Sequence, residues 1–390
     1  MPWKRSEPME QRMEFAVKAL RTQNFRRLCR EYGISAKTGY KWMERLLRDG
    51  LAGMREESRR PRHHPEALGE EVVCEMVRLK QAHRHWGPRK IRDLYERKYG
   101  TSPSESSFKR VLERAGLTEP RRLRRAREGG RLQQGKRAQA CNEVWTVDFK
   151  GWWNDRRGER CEPLTVRDEF SRYVLELRRL PDSRTETVRA RFERLFENHG
   201  LPGAIRSDNG VPFAASRSVW GISRLSAWWL ALGIDLERGR PAHPQDNGGH
   251  ERMHRDISRE IEPVKGDQDA MDVWREEFNH ERPHEALDMK RPAEVYQKSA
   301  RKYQGTPQDL EYEGMATRRV NGVGLISWKN EGIAISSSLR GWSVGIQAAQ
   351  QSLYEVRFSR LLLGWIDERT DSFLRADIRP QEAGQTKEKV

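Results

Sequence analysis

The chain has 390 residues, enough for two to four domains and at least one sizeable core. It carries 74 Lys and Arg against 58 Asp and Glu, a balance that favours a polyanionic partner such as nucleic acid. Its four cysteines form no CxxC pair, which excludes a disulfide framework or a zinc ribbon and fits a reducing compartment.

The charge is unevenly placed. Residues 1–140 hold 35 basic and 18 acidic side chains, whereas residues 141–390 are nearly balanced. The first residues lack the apolar run of a signal peptide, and the most apolar stretch, residues 225–234, is too short to span a bilayer. A cytoplasmic protein that does not enter membranes is expected, at the nucleoid if it is bacterial.

Residues 8–52 read as three helices. Phe15, Ala16, Ala19 and Leu20 lie at helical spacing, and Phe25, Leu28 and Cys29 form a second stripe. Gly33 and Ile34 make a sharp turn, and Ser35 can cap a third helix. This is the helix-turn-helix plan, whose last helix would offer Lys37, Thr38, Tyr40, Lys41 and Arg45 to a major groove. The alternative is a helical hairpin with a solvated basic face.

A second helical unit is expected over residues 64–118, with Pro88 opening its middle helix and Ser104 capping its last. Lys109 and Arg110 on that last helix are candidate DNA contacts. His83 and His85 are two apart, but no carboxylate or cysteine nearby completes a metal set. Residues 119–140 form a basic linker in which Arg121, Arg122, Arg124 and Arg125 can neutralise phosphates.

From residue 141 to 300 three strand-like runs precede helix, strand, helix, strand and helix, which is the ribonuclease H-like order of an α/β core. Residues 308–376 are β-rich, with Asn321-Gly322 as a hairpin signal, and suggest a small β-barrel. Residues 377–390 read as a disordered tail. The fold class is therefore multidomain: all-α helix-turn-helix units, a central α/β ribonuclease H-like core and a C-terminal small β-barrel.

Three acids fall where such a core does chemistry. Asp148 interrupts an apolar strand, which is costly unless a cation meets it. Asp208 ends the fourth strand at a tight turn, and Glu251 lies in the first turn of a long helix. Hard oxygen ligands from separate elements suit Mg²⁺, or Mn²⁺ in its place. Phosphodiester chemistry uses two such ions about 4 Å apart. Asp148 would bridge both, with Asp208 and Glu251 each completing one side.

These residues carry a family resemblance. The chain resembles bacterial insertion-sequence DDE transposases of the retroviral-integrase superfamily. The matching motifs are Trp145-Thr146-Val147-Asp148, Arg167-Asp168-Glu169-Phe170-Ser171-Arg172 and Arg206-Ser207-Asp208-Asn209-Gly210. To these add Arg240-Pro241-Ala242-His243-Pro244 with Asn247-Gly248, and Asn279-His280-Glu281-Arg282-Pro283-His284. The resemblance covers about residues 10–300. It implies metal-dependent cleavage of double-stranded DNA at the element's ends and strand transfer into target DNA, by a homo-oligomer in a synaptic complex. It also implies that Asp168, Arg172 and Asn209 support the site and that Asn247-Gly248 set the helix presenting Glu251.

Two features depart from the family. Asp208 and Glu251 lie 43 positions apart, a longer interval than the resemblance implies, and the excess is expected as a longer active-site loop over residues 211–225. The N-terminal zinc module of retroviral relatives is replaced by helix-turn-helix units. A competing motif, His250-Glu251-Arg252-Met253-His254, matches the HExxH of zinc proteases. That reading leaves Asp148, Asp208 and the basic third unexplained. In the transposase reading His254, Arg255 and Arg259 follow Glu251 along one helical face and can meet phosphates. A nuclease of the same fold, or a DNA-binding protein with dormant acids, remain the alternative functions.

Overall fold

The computed structural model describes residues 8–56, 67–118, 138–216, 218–238, 248–350 and 352–377. The chain forms two compact units, Met1–Glu70 and Glu71–Val390. The expected basic linker with Arg121, Arg122, Arg124 and Arg125, the tail beyond residue 377, and Asn247 all lie outside the described residues.

The first unit contains α1 (Pro8–Ala19), α2 (Phe25–Glu31) and α3 (Ala36–Asp49). Asn24 caps α2 by accepting from the Arg27 amide, and Ser35 caps α3 by accepting from the Thr38 amide, each at 3.1 Å. Phe15, Ala16, Leu28, Cys29, Trp42 and Met54 make the core. Gly39 lets α3 approach closely: a Cβ there would stand 2.7 Å from Cys29 Sγ and 2.9 Å from Phe15.

The second unit opens with α4 (Glu70–Ala82), α5 (Pro88–Tyr99) and α6 (Glu105–Arg114). These helices lie against the catalytic core. His83 bonds Glu277 at 3.1 Å, Arg97 bonds Glu294 at 2.6 Å, and the Arg282 guanidinium lies 5.4 Å from the Trp86 ring centre. His83 also stacks on Trp86, so it packs and bonds structurally.

The core sheet is built from β1 (Val144–Phe149), β4 (Pro163–Asp168), β5 (Val174–Arg179), β6 (Ala204–Ser207) and β7 (Asp235–Arg238). A small hairpin, β2 (Trp153–Asn154) with β3 (Arg160–Cys161), interrupts the run. The spatial order is β5-β4-β1-β6-β7, with β1 antiparallel to β4 and parallel to β6. Alternation along β1 and β4 divides the faces. Trp145, Val147, Leu164 and Val166 pack under α7 (Thr185–His199) and α8 (Arg224–Ala231) with Phe192, Phe196, Trp228 and Trp229. Thr146, Asp148 and Thr165 face the other side, covered by α9 (Gly248–Glu260). Beyond it come α10 (Gln268–His280) and the short α11 (Pro292–Val295).

The C-terminal region is β8 (Ala316–Arg319), β9 (Leu325–Trp328), β10 (Glu331–Ala334), β11 (Ser343–Gln350), β12 (Leu353–Phe358), β13 (Leu361–Asp367) and β14 (Ser372–Arg375). It is not the expected closed barrel. Five strands form an open antiparallel sheet, β14-β13-β12-β11-β8, and β9 with β10 forms a separate hairpin. Closure would need the edge strands β8 and β14 to pair. Each is four residues long, and neither pairs with the other or with the hairpin between them. Asn321 does make a turn, accepting from the amides of Val323 and Leu325, but the strands it joins, β8 and β9, do not pair.

The expected long active-site loop is also different. Val219 and Ile222 are buried in the hydrophobic core of the C-terminal β region, with Leu230, Ile326, Leu339, Val356 and Phe358. Trp220 donates its ring N–H to Leu362 O at 2.9 Å and its amide to Asp377 at 2.7 Å. Arg375 donates to Ser218 O at 2.8 Å. Phe213 and Leu225 of this segment pack under the core sheet, while Val219 and Ile222 pack in the β region, so the segment wedges the β region onto the α/β core.

Candidate active site

The parallel register of β1 and β6 pairs Val147 with Ser207, so Asp148 and Asp208 follow side by side at the ends of neighbouring strands. Gly210 donates its amide to Asp208 Oδ1 at 3.1 Å, a turn that holds this exposed carboxylate at the sheet edge. Glu251 is exposed in the first turn of α9. Burial first, then the negative charge of Asp208, with a further part from Glu251, pushes the Asp148 carboxyl up to about 7. The three acids thus share one electrostatic neighbourhood.

The entry to α9 depends on a glycine. Arg167 on β4 is fully buried and ion-paired with Glu169. A Cβ on Gly249 would come within 2.4 Å of its Nη2, whereas one on Gly248 would meet nothing. The close approach at this helix entry is thus made at Gly249. Burial lowers the Arg167 pKa, and its Nε has no hydrogen-bond partner among the described residues.

Both histidines of the HExxH match turn inward. His250 is fully buried between two hydroxyls, Thr146 Oγ1 at 2.8 Å from Nδ1 and Thr165 Oγ1 at 2.6 Å from Nε2. His254 Nε2 meets the same Thr165 hydroxyl at 2.8 Å, and its Nδ1 lies 3.7 Å from Asp148 Oδ2. Burial holds His254 down at about 3 and His250 well below its ordinary value, so both are neutral. A neutral, inward His254 is not placed to meet a phosphate, unlike Arg255 and Arg259, which are exposed on α9. The two imidazoles converge on a hydroxyl, which argues against the protease-type zinc site. Asp148, His250 and His254 do bring one donor atom each within 4.8 Å of one another. Nothing in the sequence pattern singles out Thr146 or Thr165, since threonine is an ordinary strand residue.

Asp168 supports the site from behind. It is fully buried on the opposite face and accepts from the amides of Asn142 and Ser171, at 2.7 and 2.8 Å, and from the Ser171 hydroxyl. Burial is the largest influence on its pKa and raises it. Arg172 follows with a φ of 65°, closing the turn between β4 and β5. Asn209 is exposed beside Asp208.

Among the candidate DNA contacts, Lys37 and Lys41 are exposed on α3. Tyr40 is exposed too and stacks on Phe25, ring centres 4.2 Å apart. Thr38 is tied into the helix cap by the Ser35 hydroxyl, and Arg45 lies over the Trp42 ring. Lys109 and Arg110 are exposed on α6.

Comparison with known proteins finds domains over these same residues. Residues 138–244 and 232–292 each match an integrase core domain, residues 11–62 a helix-turn-helix domain and residues 38–112 a homeodomain-like domain. The chain is similar to the insertion element IS407 uncharacterized 31.7 kDa protein of Burkholderia multivorans. They are 28% identical over 240 residues, 59% of this chain and 82% of the relative. The integrase core and helix-turn-helix domains of this chain, with this relative, support an insertion-element transposase of the integrase superfamily.

A second relative is the insertion element IS476 uncharacterized 39.2 kDa protein of Xanthomonas euvesicatoria, 25% identical over 63% of this chain and 70% of the relative. Among solved structures, the catalytic core domain of BIV integrase aligns over 40% of this chain and 93% of its own, with 23% identity and a TM-score of 0.32. The integrase core and helix-turn-helix domains make it a DNA-binding protein. No described helix is long and apolar enough to cross a membrane.

Proposed function

We propose that the chain is a DDE transposase that binds the terminal inverted repeats of its own element, cleaves a phosphodiester there and joins the freed 3′-OH to target DNA. The observation that supports this most strongly is the side-by-side placement of Asp148 and Asp208 on parallel strands, with Glu251 in the first turn of α9 adding to the negative charge that Asp148 meets. The donor set fits hard divalent cations: carboxylate oxygens from three elements, with Asp148 bearing charge repulsion that a cation would relieve. Asp148, Asp208 and Glu251 would hold two Mg²⁺, or Mn²⁺ in their place. When bound, such ions activate a water or 3′-OH and stabilise the departing oxygen of an in-line displacement.

The protein's own groups do the rest. Asp208 is held at the strand end by its turn, and Gly249 lets the first turn of α9, which carries Glu251, seat against Arg167. Arg255 and Arg259, exposed on that helix, are positioned to meet phosphates of the bound DNA, and Lys37, Tyr40 and Lys41 to read a groove. Lys109, Arg110 and the basic segment of residues 119–140 add phosphate contacts. A homo-oligomeric synaptic complex, with DNA at the nucleoid as its location, completes the reading.

A cleavage assay tests it. A labelled duplex carrying the element's end should be nicked in Mg²⁺ by the wild type. Asp148→Asn should bind the same duplex with unchanged affinity and not cut it. Cleavage surviving in Asp148→Asn would remove that acid from the chemistry.

A further inference from the structure

Thr165 stands opposite Asp148 in the β1–β4 ladder, on the face that α9 covers. Its hydroxyl has one hydrogen to give and can accept twice. Three groups meet it: the Asp148 carbonyl oxygen at 2.8 Å, His250 Nε2 at 2.6 Å and His254 Nε2 at 2.8 Å. A carbonyl only accepts, so the hydroxyl hydrogen goes there and both ring nitrogens donate. A neutral imidazole has one N–H, so both rings are Nε2–H tautomers with bare Nδ1 atoms. His250 Nδ1 accepts from the Thr146 hydroxyl at 2.8 Å, whose one hydrogen takes this shorter contact over the Arg167 carbonyl at 3.3 Å. His254 Nδ1 instead faces Asp148 Oδ2 at 3.7 Å.

Two acceptors at that separation cannot bond each other. With the Asp148 carboxyl ionised, they can share a third group that donates to both. We infer that Thr165 locks His254 with its bare Nδ1 toward Asp148, which makes His254 a positioning residue that fixes the orientation of the Asp148 carboxylate toward a divalent ion. The partner group is a water hydrogen-bonded to Nδ1 and to Oδ2 together. His250 serves the same end from below, pinning Thr165 and Thr146 so that the ring of His254 has one seat. This inference rests on the proposed role of Asp148 as a metal ligand, and it assigns the supporting shell that such a ligand needs.

The test uses the full chain without DNA, titrated with Mn²⁺ and read by the paramagnetic resonance of free Mn²⁺. His254→Ala should weaken Mn²⁺ binding by about tenfold or more, the range for loss of a group that orients a metal ligand. His254→Asn, whose amide can donate to Thr165 and accept on the Asp148 side, should stay within about threefold of wild type, a small part of that range. Nitrogen NMR of histidine-labelled wild type should show an unprotonated Nδ1 in His254. A protonated Nδ1, or equal losses in His254→Ala and His254→Asn, would overturn the positioning role. So would wild-type binding in His254→Ala while Asp148→Ala binds poorly. Wild-type binding in Asp148→Ala would overturn the metal-ligand reading itself.

Discussion

At the scale of single residues, the site is a set of charges and close approaches that each make a separate demand. Asp148 in the folded chain holds its proton up to about 7, against an ordinary value of 3.8. A carboxyl whose folded value is raised adds stability below its unfolded value and loses it as pH rises through the folded one. In EDTA, the stability of wild type relative to Asp148→Asn should therefore fall between about pH 4 and pH 7. Melting temperatures of both proteins at pH 5.5 and pH 8 check the sign; a difference independent of pH would mean that Asp148 titrates normally. The buried histidines act oppositely, losing stability at low pH, but they are common to both proteins and cancel. Gly249→Ala forces a Cβ onto the buried Arg167 guanidinium and should cost about 1–3 kcal/mol, the usual range for overpacking. Denaturant unfolding measures it, with Gly248→Ala, which meets no neighbour, as the silent control.

At the scale of elements, the helices and strands of the catalytic core were legible from residue 144 onward, because alternation and helical spacing report local burial directly. The placement of Asp148 in a strand, Asp208 at a strand-end turn and Glu251 in the first turn of a helix was legible for a related reason, since strand, turn and helix-start signals are local. The inward turn of His254 was not, because a histidine three residues after Glu251 on a helix can equally face phosphate or protein. Only the position of Thr165 on a neighbouring strand decides it. Barrel closure was also beyond local pattern, since it depends on whether two distant edges pair. For α3, Lys37 and Lys41 are exposed beside the capped N-terminus of the helix. Replacing either with Ala should weaken DNA binding and reduce the steepness of its salt dependence by about one charge. Binding isotherms at several salt concentrations show this, and an unchanged slope would place those lysines away from phosphate.

For the larger unit as a whole, the wedge of residues 218–222 joins catalytic core and C-terminal β region into one hydrophobic body. Sequence reading took this segment for a loop because its apolar residues, Val219, Trp220 and Ile222, follow neither a helical nor a strand period. Many of their partners, such as Ile326, Leu339 and Phe358, lie more than a hundred residues away. Ile222 is fully buried there, and Ile222→Ala should cost about 2–5 kcal/mol. Thermal unfolding followed by tryptophan fluorescence should show core and β region melting together at a lower temperature. Independent melting of the β region, with the core unchanged, would show that the wedge does not couple them.

All of these demands bear on the proposed act, the joining of a DNA end to a second DNA molecule at Asp148, Asp208 and Glu251. The most direct measurement is strand transfer of a labelled end fragment of the element into plasmid DNA, comparing wild type with Asp208→Ala in Mg²⁺ and in EDTA. Joined product with the wild type in Mg²⁺, absent in EDTA and absent with Asp208→Ala, is the expected result. Joining that persists in EDTA or with Asp208→Ala, or DNA binding by the wild type with no joining in Mg²⁺, would contradict the account.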